Sequence, residues 1–318
     1  MRFTDDDAGR LALRDGDRVL AEYVYAPTDP QVESPRPYAH LQTIGGADAT
    51  AYRPADHVWH KGLSLALPVV GDENFWGGPT YVHGHGYVQQ TNNGAQVHRG
   101  FRHADADGVA RVDETLDWIA EDGRRVLVEE RALTGRRISD DTWALTWRSA
   151  LRNVTDDPLG FGSPTSKGRE NAGYAGIFWR GPEDWTGGEI VGPDGPAGDA
   201  ARGLPGPWLA FVAPDRSAGV LMRDAAASDA GDGPPWFARS EEYAGLNPAP
   251  FFYTETVLPA GEELVLAAVV VLGTAEVAAH AGAAGELAAE VRAASGPESA
   301  AASAPESAPE SAPEETHA

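Results

Sequence analysis

The sequence predicts a mainly β chain: one large antiparallel β-sandwich with a C-terminal helix and a disordered acidic tail. Three observations predict it. Short runs of alternating apolar and polar residues recur along the chain, the period-two signature of half-buried strands. Turn formers separate them, with 37 Gly and 24 Pro in 318 residues, too many for long helices. After Thr274 the composition changes abruptly to Ala and Glu. All-β folds often run past about 200 residues as one unit, so the expected boundaries are 1–274 for the sandwich, 275–294 for a helix and 295–318 for the tail.

Taken in order, Leu11–Leu13 and Val19–Tyr25 flank Asp15-Gly16-Asp17, and Asp-Gly between strands is a hairpin signal. Glu114–Ala120 and Arg125–Leu133 flank Glu121-Asp122-Gly123 in the same way. Alternation in Val126–Leu133 is imperfect, whereas Thr142–Arg152 places Trp143, Leu145 and Trp147 on one face. Asp156–Gly206 is rich in Gly, Pro and Asp, which predicts long loops around a strand at Gly176–Arg180. Further strands are expected at Trp208–Ala213, Ala218–Arg223, Phe251–Leu258 and Glu263–Leu272; the last is apolar enough for a buried sheet position. Glu276–Ala294 reads as a helix weakened by Gly282 and Gly285. Beyond it Ser-Ala-Pro-Glu repeats three times between Ser303 and Glu314, a composition that cannot bury a core.

Composition removes several function classes. The formal net charge of −23 opposes a phosphate backbone, so no nucleic-acid partner is expected. With no Cys, disulfides, thiolate nucleophiles and Cys-ligated metal centres are excluded. No run approaches the roughly 18 apolar residues of a membrane span, and no membrane partner is expected. Met1–Asp7 lacks the basic and apolar regions of a secretory signal, so the expected compartment is the cytoplasm. Asp105-Ala106-Asp107-Gly108 begins like a calcium loop but lacks the remaining ligand spacing, and reads as a turn.

The chemistry concentrates between Arg36 and His103. One histidine cluster is Asp56-His57-Val58-Trp59-His60-Lys61, a second is His83-Gly84-His85-Gly86, and Glu73-Asn74-Phe75-Trp76-Gly77-Gly78 lies between them. Turn residues surround both clusters, which predicts loop ends and not core. His57 and His60, three apart, converge on a helical turn and diverge on a strand; His83 and His85 share a face on a strand. Imidazole titrates near neutral pH, so His57, His60, His83 and His85 are the candidates for acid–base catalysis. His83 and His85 are also the candidate metal ligands; no cofactor is required, and a divalent metal could be held. The expected ligand-positioning residues are Arg36, His40, Asp56, Lys61, Asn74, Trp76, Glu170 and Arg180. The interleaved Trp59, Trp76, Tyr81 and Tyr87 could stack on the apolar faces of sugars.

The Asp56–Lys61 and Glu73–Gly78 blocks, with Pro37-Tyr38-Ala39-His40, Arg169-Glu170-Asn171-Ala172-Gly173-Tyr174 and Phe178-Trp179-Arg180, resemble a bacterial family named PmoA-like, or "methane oxygenase PmoA", over roughly residues 15–274. The family is in turn similar to galactose-mutarotase-like proteins, which implies a sandwich of supersandwich type presenting His and carboxylates to a sugar from one sheet. The expected function is a carbohydrate-directed enzyme of isomerase, hydrolase or lyase type, acting on a sugar or oxidised sugar. One alternative is a non-catalytic carbohydrate-binding accessory protein. Another, implied by the family label, is a metal-dependent oxygenase. The expected partner is a small sugar or sugar derivative.

Overall fold

The computed structural model describes residues 1–105, 108–226 and 233–294. The tail expected at 295–318 and the centre of the turn at Asp105–Gly108 lie outside the described residues. Among them the chain is mainly β, and every strand pair of its two large sheets is antiparallel.

The first large sheet runs Arg2–Asp5, Arg10–Asp15, Arg18–Val24, Tyr38–Leu41, Leu63–Ala66, Gly176–Arg180, Gly245–Pro248, Trp236–Arg239. The second runs Gly195–Pro196, Glu189–Gly192, Trp208–Val212, Gly219–Asp224, Glu263–Gly273, Trp143–Asn153, Arg125–Arg137, Ala110–Ile119, Ala95–His103. Between the sheets lies one continuous core. Leu63 and Leu65, Ile177 and Trp179, and Trp236 and Ala238 enter it from the first sheet; Trp143, Leu145 and Trp147 enter it from the second. Alternation then sends Phe178 and Arg180 to the outer face of the first sheet, together with Phe237. There Phe178 and Phe237 join Ala66, Trp76, Tyr243, Ala249 and Phe252 in a separate apolar cluster. This outer face carries the site.

The strand Glu263–Gly273 is apolar from Leu264 onward, and from Leu266 both its faces are covered. Leu266, Ala268, Val270 and Leu272 face the central core, while Ala267, Val269 and Val271 meet Ala284, Leu287 and Ala288 of the helix Ala281–Ala294. The helix starts later than its composition predicts, since Val277–His280 form a 3-10 turn first. No described helix is long and apolar enough to cross a membrane.

Two stretches differ from expectation. Asp156–Gly206 holds, besides Gly176–Arg180, strands at Leu159–Gly162, Glu189–Gly192 and Gly195–Pro196. These are pieces of two to four residues, too short for local propensity to announce; Leu159–Gly162 and Glu189–Gly192 each also pair with strands farther along the chain. In Phe251–Leu258 only Thr256–Leu258 pairs as a strand. Phe251 and Phe252 are buried beside a turn in which the Phe252 amide donates to the Ala249 carbonyl at 3.0 Å.

Candidate active site

The loop Arg53–His60 is closed at its neck by the bridge between Tyr52 and Lys61. Within it the His57 amide donates to the Pro54 carbonyl at 3.0 Å and the His60 amide to the His57 carbonyl at 2.9 Å. The backbone therefore turns helically, and residues three apart meet. The His57 and His60 rings stack with centroids 4.6 Å apart and planes 6° from parallel. His60 is 2% exposed, which corrects the expectation of a loop-end side chain. Burial there is the work of Trp76, Phe178 and Tyr243, each packed edge-on against the imidazole.

The two rings have opposite partners. His57 Nδ1 lies 2.9 Å from Asp56 Oδ2, so the ring donates there and Nε2 is left to accept. His60 Nδ1 lies 3.0 Å from Arg180 Nη1; a guanidinium only donates, so Nδ1 accepts and the ring proton sits on Nε2. Burial first, then the charges of His57, Arg180, Arg36 and Lys61, hold the His60 pKa well below the usual imidazole value. Arg180 also holds both Asp56 oxygens at 3.0 Å and lies 4.0 Å over the Tyr243 ring. Burial raises the Asp56 carboxyl, but the bonds from His57 and Arg180 outweigh it and hold its pKa below the usual range.

His57, His60 and Tyr243 line a cavity of about 290 Å³, close to the lower end of small-molecule sites. Trp59, Trp76, Tyr87, Tyr174, Phe237 and Tyr243 supply its apolar walls, and Arg169, Arg239 and Glu242 its charges beyond the histidines. Burial pushes the Tyr243 hydroxyl up to about 12, against the pull of Arg239 and Arg180, so it is a neutral donor at neutral pH. A larger recess of about 530 Å³ lies between the helix Ala281–Ala294 and the outer face of the second sheet. It has neither histidines nor aromatic walls, so the smaller cavity is the better candidate.

The remaining expected residues divide by position. Trp76 lines the cavity, and Asn74 sets it there: its carboxamide oxygen accepts from the Trp76 and Gly77 amides at 2.8 and 3.0 Å, and its Nδ2 donates to the Gly78 carbonyl. Arg36 is fully buried below the cavity and donates to the carbonyls of Trp59, Trp76, Ser34 and Glu33 and to Ser64 Oγ. It ties the His57–His60 loop to the Trp76 loop. Lys61, also buried, pairs with Glu33 and with Asp29, the latter at 2.9 Å. Arg53 holds the same Glu33 at 2.6 Å, so the loop neck is pinned by charge. His40 is on the Tyr38–Leu41 strand beside Tyr38 and Tyr52, lining a separate recess with Glu22 and Asp48. Glu170 is exposed, next to the cavity-lining Arg169.

His83 and His85 are exposed at the turn between Thr80–Val82 and Gly86–Val88, where the His85 amide donates to the Val82 carbonyl at 3.0 Å. The shared strand face expected of them does not form, because Gly84 takes φ +78° and turns the chain. Among the described residues no three His, Asp or Glu side chains converge as metal ligands.

Residues 10–287 match the model of a family of unknown function, DUF6807. The chain belongs to that family. No PmoA-like family model matches, and no protein of curated function matches significantly. Among solved structures, the chain is similar to a heparan sulfate lyase HepC mutant from Pedobacter heparinus (TM-score 0.41, 10% identity, 86% of this chain and 37% of the lyase). It is similar to the GH36 alpha-galactosidase AgaA from Geobacillus stearothermophilus (TM-score 0.42, 12% identity, 82% and 40%). It is also similar to the Slr1438 protein from Synechocystis (TM-score 0.39, 11% identity, 86% and 95%). The chain thus spans well under half of the two enzymes. At these scores the likenesses carry no argument about chemistry.

In this DUF6807 chain the cavity also draws on residues the sequence did not single out as site residues, among them Tyr174, Phe237, Arg239, Glu242 and Tyr243. One signal was available. Phe237 and Arg239 are two apart in a short strand, hence on one face. That the face adjoins His60 follows only from the sheet order, which places Trp236–Arg239 and Gly245–Pro248 beside Gly176–Arg180.

Proposed function

We propose that this cavity binds a sugar and that the chain is a carbohydrate-directed enzyme in which His57 and His60 move protons. The observation that carries the reading is the stacked imidazole pair with opposite hydrogen-bond partners. His57, oriented by Asp56, offers an unprotonated Nε2 as general base. His60, held neutral, offers its Nε2 proton to an oxygen that gains charge. One base and one donor side by side are what proton transfer at a hydroxyl or a carbonyl-adjacent carbon requires. The aromatic walls, Trp76 above all, suit the apolar faces of a pyranose, and the arginines and Tyr243 suit its oxygens.

The test is calorimetric titration with glucose, galactose, mannose and their uronates, then incubation of any bound sugar in D2O followed by proton NMR. The expected result is binding, with deuterium exchange or a new product. Trp76→Ala should weaken binding at least tenfold, whereas His57→Asn should keep binding and lose at least a hundredfold in turnover. Binding with no chemistry in any arm would make the protein a carbohydrate-binding accessory. Absence of binding across the panel would sink the proposal.

A further inference from the structure

We infer that the ligand of this cavity carries a single carboxylate, placing it among sugar acids and not neutral sugars; the inference rests on the sugar-binding reading above. The cavity is lined by two guanidiniums, Arg169 and Arg239, and one carboxylate, Glu242. Apart from the imidazoles, the charged side chains of the lining sum to one net positive charge, in a chain whose formal net charge is −23. A local reversal of sign inside an aromatic recess focuses the field on an anion.

Neither arginine is fully engaged. Arg169 donates to the Tyr87 hydroxyl and lies 4.6 Å over the Tyr87 ring, and it forms no ion pair among the described residues. Arg239 pairs with Glu242, whose side chain is 66% exposed, so that contact competes with water. Its own Nε is buried without an acceptor, a donor left unused at a buried position. Tyr174 relates the two arginines: burial raises its hydroxyl, and Arg169 and Arg239 both pull it back. Its ring packs against Trp76, centroids 4.4 Å apart and planes tilted by 38°. A ring lying on this aromatic wall would therefore present a substituent between two cations.

Charge balance sets the substituent. One net positive charge matches one carboxylate, whereas a phosphate monoester would leave the site negative. The planar guanidinium fork also fits a carboxylate edge to edge. Arg180 is not available for this task, since Asp56 and His60 occupy its terminal nitrogens.

The experiment compares each hexose with its own uronate and with its 6-phosphate by titration calorimetry on the full chain, at low and high salt. The uronate is expected to bind at least tenfold tighter than the hexose, with the advantage shrinking as salt screens it. Arg169→Gln with Arg239→Gln should erase that advantage, so that hexose and uronate bind the variant alike, and Arg239→Lys should retain part of it. Equal binding of hexose and uronate overturns this inference alone, as does a uronate preference that survives the double variant. Tighter binding of the phosphate overturns the carboxylate assignment. Binding of nothing in the panel overturns both this inference and the sugar-binding reading beneath it. The hexose-to-uronate comparison needs only the wild-type protein, so it stands if a variant fails to fold.

Discussion

His60 shows how a single side chain can tie stability to pH. Its depressed pKa means that the folded protein refuses a proton which the unfolded chain accepts below about 6.5. Its contribution is therefore complete above that value and is lost as pH falls beneath it, with a slope of about 1.4 kcal/mol per pH unit for one proton. His60→Gln retains an acceptor for Arg180 and removes the titration. The free-energy gap between wild type and variant, from urea melts, should narrow as pH falls from about 7 to about 5. Half-buried His40 has the same sign and buried Glu114, raised by desolvation, the opposite one. Both are present in each protein and cancel in the difference. Parallel pH profiles would mean that His60 is protonated in the fold after all.

At the scale of elements, the Glu73–Gly78 loop is where sequence becomes cavity shape. Gly77 takes φ +101°, and a Cβ there would stand 2.5 Å from the Glu33 carbonyl oxygen and 2.7 Å from Trp59 Cβ. Gly77→Ala should cost at least about 1–2 kcal/mol from the left-handed backbone alone. It should also displace Trp59, so that melting temperature and sugar affinity fall together. A variant with unchanged melting and binding would show that the loop does not set the wall. Asp56–His60 and the Asn74 turn that seats Trp76 and Gly77 were legible in the sequence because their closing hydrogen bonds span only a few residues. Arg180 was legible as a candidate, but its bond to His60, across 120 positions, was not. Tyr243 and Arg239 were invisible for the same reason. The hairpins at Asp15–Asp17 and Glu121–Gly123 were readable, whereas short strands such as Leu63–Ala66 and Gly245–Pro248 depend on neighbours supplied by the fold.

At the scale of the whole molecule, the two large sheets are joined by apolar packing and by a buried polar network centred on Arg131. Arg131 is fully buried in the second sheet and holds both oxygens of Glu129 at 2.7 and 2.8 Å, Gln96 at 2.9 Å and, across the core, the Tyr23 hydroxyl of the first sheet at 2.7 Å. Trp118 Nε1 and Ser149 also donate to Glu129, while Glu114 takes bonds from Tyr23 and His98. Glu129 and Arg131 share the inward face of their strand with Leu127 and Leu133, which explains why alternation in Val126–Leu133 looked imperfect. Such a network is satisfied only when the sheets are in register, so it selects one alignment of the layers and adds little net stability. Arg131→Met would leave Glu129 buried without its counter-charge and should cost about 3–5 kcal/mol in urea denaturation. Glu129→Gln combined with Arg131→Met removes both charges and should cost less than the single change. Were the double variant the weaker protein, the pair would be a net source of stability, and the register argument would lose its basis.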